Sequence, residues 1–296
     1  MQLNKMTENK DLEELLKRES EKNNGSNNLH KIVDYIVNSQ GNFSDETLSD
    51  KFYKYIEELN KEFSEIKSLE KNEIEKLNHI LIDELDSHYS GIYISSLITL
   101  NKNNDFKLTL NKPINYLGYA NTKNLTIDGD VGKFSFISMN NGEVLINGDC
   151  DEHLGYYFNG KNLIVKGYVI TPCFPAMKKG KIVVERDLYR NQGIGTVCEN
   201  MEGGILICNK DVYANIGEQM NGGEIIISGN VKGDIGESMK NGTIKVGGYV
   251  KGHAGYSMEG GIIDIKEYAS KDLGYASIGG SITVGKKTFL QKIGFE

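Results

Sequence analysis

The side chains of this sequence best suited to covalent or metal chemistry are its four cysteines and one short acidic stretch. Cys198 is followed directly by Glu199, and a cysteine becomes a nucleophile when a neighbouring base holds it as thiolate. The Cys198 segment contains no histidine, so this pair lacks its base within the local sequence. Cys150, Cys173 and Cys208 fall at positions otherwise held by aliphatic residues, which predicts inert buried thiols. The cysteines form no CxxC pair and no zinc-type Cys/His spacing, so neither a structural metal nor a disulfide framework is expected. Asp83, Glu84, Asp86 and His88 could in principle hold a cation, but solvated charges at a helix end account for them as well. GSITVGKKT (Gly280 to Thr288) is close to a phosphate-binding loop. Its Ile282 and Val284 instead continue a strand pattern, and no helix is forecast after Lys286.

What must position these residues is a repeat. Leu125, Val144, Leu163, Ile182, Leu206, Ile225, Ile244, Ile263 and Ile282 recur every nineteen residues, apart from one step of twenty-four between Ile182 and Leu206. A second apolar column lies two residues on, from Ile127 to Val284, and a third runs from Val131 through Cys150 to Ala269. Gly217, Gly236, Gly255 and Gly274 keep the same beat. Apolar residues two apart share one face of a strand, and a strand this short cannot bury that face alone. Each copy must therefore rest on the next. The expected fold is mainly β: a parallel β-helix, a solenoid of single coils with about nineteen residues in each and nine to ten coils. A first coil is expected through Phe106 and Leu108, and the rod should be roughly 40 to 50 Å long at the usual strand spacing. Right-handed winding is the favoured hand for parallel crossovers. A left-handed hexapeptide helix is the competing solenoid, but nineteen is not a multiple of six. His153 and His253 fall on different columns, and no row of Asp, Arg and Lys of the kind that lines a polysaccharide-cleaving groove is evident.

Residues 1–90 read as an α-helical adaptor or cap, and residues 91–296 as the β-helix. Leu48, Phe52, Tyr55, Ile56, Leu59 and Phe63 follow a helical period behind a capping Ser44, and Ile74, Leu77, Ile80 and Leu81 supply a further helix. IYISSLITL (residues 92–100) reads as a β-type run. At the other end, Phe289, Leu290, Ile293 and Phe295 should fold over the last coil or mark a contact between protomers. The first hundred residues hold 12 basic and 20 acidic side chains, against 22 and 21 in the rest. With no basic stripe, nucleic acid is not the expected partner. No run is long and apolar enough for a membrane span, and the N-terminus has no signal-peptide pattern, so a cytoplasmic protein is expected.

The longer coil reads Gly193-Ile194-Gly195-Thr196-Val197-Cys198-Glu199-Asn200-Met201-Glu202-Gly203-Gly204. It resembles the Gly-x-Gly, spacer, Cys-Glu-x-Met-x-Gly-Gly signature of the GXGXG family, the C-terminal β-helix domain of the glutamate synthase large subunit, whose fold is shared by the β-helical component of formylmethanofuran dehydrogenase. IGEQMNGG, IGESMKNG and AGYSMEGG resemble the ordinary coils of that family. An Asp-His pair common there is replaced by Thr196 and Val197. The resemblance implies a non-catalytic scaffold with no cofactor and no metal, in contact with an amidotransferase or oxidoreductase subunit or with further copies of itself. Gly193, Gly195, Cys198, Glu199, Met201, Gly203 and Gly204 are then its motif and interaction residues. Two other functions compete: a small-molecule enzyme site at residues 193–204, and self-assembly into filaments through the open coil ends.

Overall fold

The computed structural model describes Ile74 and residues 87–190, 195–270 and 272–292. Among these residues helix α1 (Ser87–Leu100) precedes fifteen strands. These are β1 (Asp105–Thr109), β2 (Asn124–Asp128), β3 (Glu143–Ile146), β4 (Asn162–Val165), β5 (Val169–Thr171), β6 (Lys181–Val184), β7 (Leu188–Arg190) and β8 (Thr196–Val197). They continue as β9 (Ile205–Cys208), β10 (Asn215–Ile216), β11 (Glu224–Ile227), β12 (Thr243–Val246), β13 (Ile262–Ile265), β14 (Gly280–Val284) and β15 (Lys287–Lys292).

The main sheet has the order β1-β2-β3-β4-β6-β9-β11-β12-β13-β14-β15. All its pairings are parallel except the last, β14 with β15. The register reproduces the sequence columns residue for residue. Leu125 faces Val144 and Val144 faces Leu163, while across the long step Ile182 faces Leu206. Phe106 faces Leu125, which adds the expected first coil. The result is a parallel β-solenoid of about nine turns.

Two further walls close each coil. Val131, Cys150, Val169, Leu188, Val212, Val231, Val250 and Ala269 bridge in parallel down one of them. Cys173, Val197, Ile216, Ile235, Ala254 and Leu273 do so down the other. The three walls enclose one continuous apolar core, whose members are nearly all inaccessible to solvent. Each Ile or Leu so buried contributes about 1.5–3 kcal/mol relative to exposure. Met139, Met177, Met201, Met220, Met239 and Met258, all fully buried, fill the corner beside the main sheet. Their flexible thioethers suit an irregular corner.

The run 92–100 is helical, not extended, which corrects the strand expectation. Residue 90 lies inside α1, so the helical part reaches Leu100 and the first coil opens at Asp105. Residues 91–98 are all buried, so the segment has no polar face to declare a helical period. The hydroxyls of Ser95 and Ser96 donate to the carbonyls of Gly91 and Ile92, four residues back, at 2.5 and 2.8 Å. Ser95 also accepts from the Gly118 N–H at 2.7 Å, which ties α1 to the first coil. Gly91 is glycine for want of space, because a Cβ there would overlap the Asn115 carbonyl oxygen. Ile74 is helical and buried in the same core. The other helices expected within residues 1–86 lie outside the described residues.

At the far end, β15 turns back through Gly285 and Lys286 and pairs antiparallel with β14, placing Leu290 opposite Ile282. The segment expected to plug the last coil thus extends the main sheet, and Phe289 remains 54% exposed. Ile293 and Phe295 lie outside the described residues.

Candidate functional site

Cys173 bridges Val197 while Thr171 still pairs with Arg190, so the five extra residues of the long coil fall between Arg190 and Thr196. Gly193 lies outside the described residues. Gly195 is buried against Thr171, whose Oγ1 a Cβ at Gly195 would overlap, and its carbonyl accepts the Asn215 N–H at 3.1 Å. Beyond Gly195 the coil is ordinary. Cys198, Glu199, Met201, Gly203 and Gly204 take the positions that Gly217, Glu218, Met220, Gly222 and Gly223 hold one coil later. The N–H of Asn200 donates to Glu218 O at 2.8 Å, and those of Asn221 and Gly222 both reach Met201 O.

Cys198 occupies the corner glycine column. Its φ is +56°, against +67°, +64° and +68° at Gly217, Gly236 and Gly255, and Phe136 and Phe174 adopt the same conformation. In place of an exposed nucleophile, the corner presents a fully buried thiol that burial pushes well above its ordinary value. Cys173 and Cys150 are likewise buried and raised, Cys173 by burial first and then by the other thiols, Cys150 by burial and the nearby Asp149. Cys208, pushed up to about 11 by burial, donates to the carbonyl of Arg186 at 3.3 Å. A thiol in such surroundings is a packing group.

Of the acidic stretch near the first helices, Asp83, Glu84 and Asp86 lie outside the described residues, and His88 sits in the first turn of α1. Among the described residues no group of three His, Cys, Asp or Glu side chains is placed to hold a metal ion. GSITVGKKT forms β14, a turn and the start of β15, so the frame is strand-turn-strand and no helix N-terminus faces a phosphate. His153 stacks on Phe134, with ring centroids 4.4 Å apart and planes 5° apart, and Phe134 in turn stacks on Tyr116.

The outer faces carry order that the motifs do not reveal. Glu199, Glu218 and Glu237 form a row on three successive coils. Partial burial raises Glu237, the Glu218 and Asp234 carboxylates raise it further, and His253 opposes them. On another flank, Asp130 accepts the N–H of Asp149, and Asp149 that of Tyr168, at 2.8 and 3.0 Å. Asp187, Asp211 and Asn230 do the same for Asp211, Asn230 and Tyr249 at 2.9, 2.7 and 3.1 Å. These side chains staple one coil to the next by satisfying backbone donors. Beside them, Tyr168, Tyr189 and Tyr213 form an outward row with ring centroids 6.5 and 5.1 Å apart. The repeat spacing was the available signal for the glutamate row and for the Asp and Asn staples, which keep one column each, whereas Tyr168 and Tyr189 are twenty-one residues apart and lie on neighbouring outward columns.

No family model matches the chain, and no curated protein matches it. The resemblance to the GXGXG family therefore rests on the quoted motif alone.

Proposed function

We propose that this protein is a non-catalytic scaffold: a rigid β-solenoid that docks with a protein partner, an amidotransferase or oxidoreductase subunit being the class the GXGXG resemblance suggests, or with a second copy of itself. The observation that carries this reading is the contrast between the two ends of the rod. Helix α1 covers the first coil, whereas the last leaves Tyr268, Tyr275, Ile278 and Phe289 between 54 and 67% exposed. Tyr275 stacks on Tyr256 with centroids 5.7 Å apart, and among the described residues no further coil covers its outer side. A group of large apolar side chains at one end of a solenoid favours a protein contact. The buried thiols support the reading, since Cys198 is not presented to a substrate.

Purification of the native complex from cells, with identification of what co-elutes, and light scattering of the purified chain test the proposal together. A stoichiometric partner or a closed dimer is the expected result. A solitary monomer in both measurements would overturn it, and growth without limit as concentration rises would favour the filament reading instead.

A further inference from the structure

Successive residues of a strand point to opposite faces, so in the main sheet the column between the two inward ones points outward. In β3, β4, β6, β9 and β11 that column holds Leu145, Ile164, Val183, Ile207 and Ile226, stacked in register one upon the next. All five are partly exposed, and Ile205, on the same face as Ile207, is 36% exposed. Strand propensity favours a single β-branched side chain at such a place. It does not account for five aliphatic residues in succession, because the same column begins with Lys107 and Thr126 and ends with Lys245, Asp264 and Thr283. A contiguous apolar stripe on an outer face marks a contact.

We propose that this face joins two copies of the chain side by side, about a two-fold axis that runs along the rod. The inference rests on the docking reading above and names a second copy as the occupant of this face. Charge selects the direction. An axis along the rod sets each coil against the same coil of the other copy, so stripe meets stripe and the outward column of Lys181 meets that of Glu185. Lys181 then faces Glu185 of the second copy, twice by symmetry, while Asn124, Glu143 and Asn162 face Asp128, Asn147 and Lys166. None of these is a like-charged pair. Glu185 is paired with Lys166 in its own chain, and Lys181 extends that pair into a network. An axis along the strands, centred on Val183, would also overlay the stripes, but it would set Lys181 against Lys181, Glu185 against Glu185 and Glu143 against Glu224. Lys107 and Lys245, which meet their own counterparts beyond the stripe, are neutralised within the chain by Asp128 and Glu224 at 2.8 and 2.7 Å, and Asp264 stands next to Lys245 in the ladder. Ten parallel strands with three outward residues each offer a face of about 48 by 16 Å at the usual spacings, close to the ~800 Å² that each partner contributes to an interface of standard size.

Sedimentation equilibrium of the full chain tests this, and a dimer is expected at micromolar concentration. Ile164→Glu should raise its dissociation constant at least about tenfold, and so should Lys181→Glu, which sets a carboxylate against Glu185 of the second copy. Adding Glu185→Lys to Lys181→Glu should restore the dimer, a loss and rescue that an axis along the strands would not give. Tyr275→Asp, at the end of the rod, should leave the dimer unchanged, and far-UV circular dichroism of every variant should match the parent. A monomer at every concentration overturns the inference and leaves the docking reading to the co-purification experiment. A dimer that survives both Ile164→Glu and Lys181→Glu but dissociates with Tyr275→Asp also overturns it, assigning self-association to the end of the rod, and the docking reading then stands.

Discussion

At position 198 a cysteine stands where four of the later coils place glycine, and it holds a left-handed backbone that costs a side-chain-bearing residue about 1–2 kcal/mol. What offsets that cost is burial, since the thiol, like the rings of Phe136 and Phe174 at the same corner, is fully enclosed. In the later coils the corner is filled from elsewhere: a Cβ at Gly217 would come within 2.6 Å of Ile244 Cδ1. Phe174→Ala should therefore destabilise the fold by about 3–5 kcal/mol, because nothing else fills its space. Cys198→Gly should stay within about 1 kcal/mol of the parent, relief of backbone strain balancing the lost thiol. Urea unfolding of the two variants checks both numbers. In the folded protein an alkylating reagent should leave Cys198 unmodified while labelling it readily after denaturation, and rapid labelling in the native state would restore Cys198 as a candidate nucleophile. His153 supplies the pH dependence. Burial lowers its imidazole from the ordinary 6.5, with Glu152 and Asp151 opposing and Lys133 assisting, and its Nδ1 is enclosed without a hydrogen-bond partner. The unfolded chain takes up this proton more readily than the folded one. The contribution is thus fully present above pH 6.5 and lost as pH falls from there through the lower folded value. The urea midpoint should drop between pH 7.5 and 5.5, and His153→Phe, which continues the Phe134 stack, should flatten that drop. An unchanged drop in the variant would remove His153 from the account.

The elements carry the same economy of means, since a single coil is built, repeated and interrupted once. Thr171 pairs with Arg190, and Thr196 occupies the place that Pro172 holds in the preceding coil, so the five residues 191–195 are an addition to an otherwise regular turn. Deleting them should join Arg190 to Thr196 and yield a coil of the common length. We expect cooperative thermal unfolding with a midpoint within a few degrees of the parent, the backbone hydrogen bond lost among the described residues being that from Asn215 to Gly195. A molten variant would show that the added residues hold the coil together. Helix α1 is the opposite case, an element the fold requires. Leu97 is 1% exposed against the first coil, and Leu97→Ala should cost about 2–5 kcal/mol. The contrast also explains what the sequence disclosed. The strands were legible because Leu125, Val144, Leu163 and their successors repeat at one interval, and a repeat names its own partner. Residues 92–100 have no repeat to be compared with. Apolar on every side, they could be told from a strand only by length, and the packing of Gly91 against Asn115 that makes them helical is a tertiary fact. The candidate site divides in the same way: the motif around Cys198 was visible as a motif, but its burial depends on a corner geometry that residue types alone do not state. The glutamate row was visible in principle, yet it emerges only when outward columns are aligned as carefully as inward ones, and the tyrosine row, which crosses from one column to the next, is a product of the fold.

For the molecule as a whole, the difficulty of a stacked solenoid is its ends, because every coil satisfies its neighbours and the terminal ones have a neighbour on one side only. The first coil is closed by α1, through the Gly118–Ser95 hydrogen bond and the burial of Tyr93, Ile94 and Leu97 in the common core. Among the described residues the last is closed in the main sheet alone, by the antiparallel β15, and the reversal of direction matters. Ten strands run parallel in that sheet, so a bare β14 would present the edge on which an eleventh parallel strand, or the β14 of another molecule, could continue the ladder. By pairing with β14 in the other sense, β15 occupies those hydrogen-bonding groups and sets Lys287 and Lys292 at the two ends of the new edge, where charge discourages further pairing. Removing β15 by stopping the chain after Gly285 should leave the upstream coils folded, since their columns are complete without it. It should also convert the protein to a species whose scattering grows with concentration, because the β14 edge and Ile282 are uncovered together. Restoring solubility by a charge on that edge, as in Thr283→Lys within the shortened chain, would identify the edge as the cause. If the shortened chain instead scatters as the parent does at every concentration, β15 is not what terminates this sheet, and the closure of the rod at this end must be sought in the other two walls.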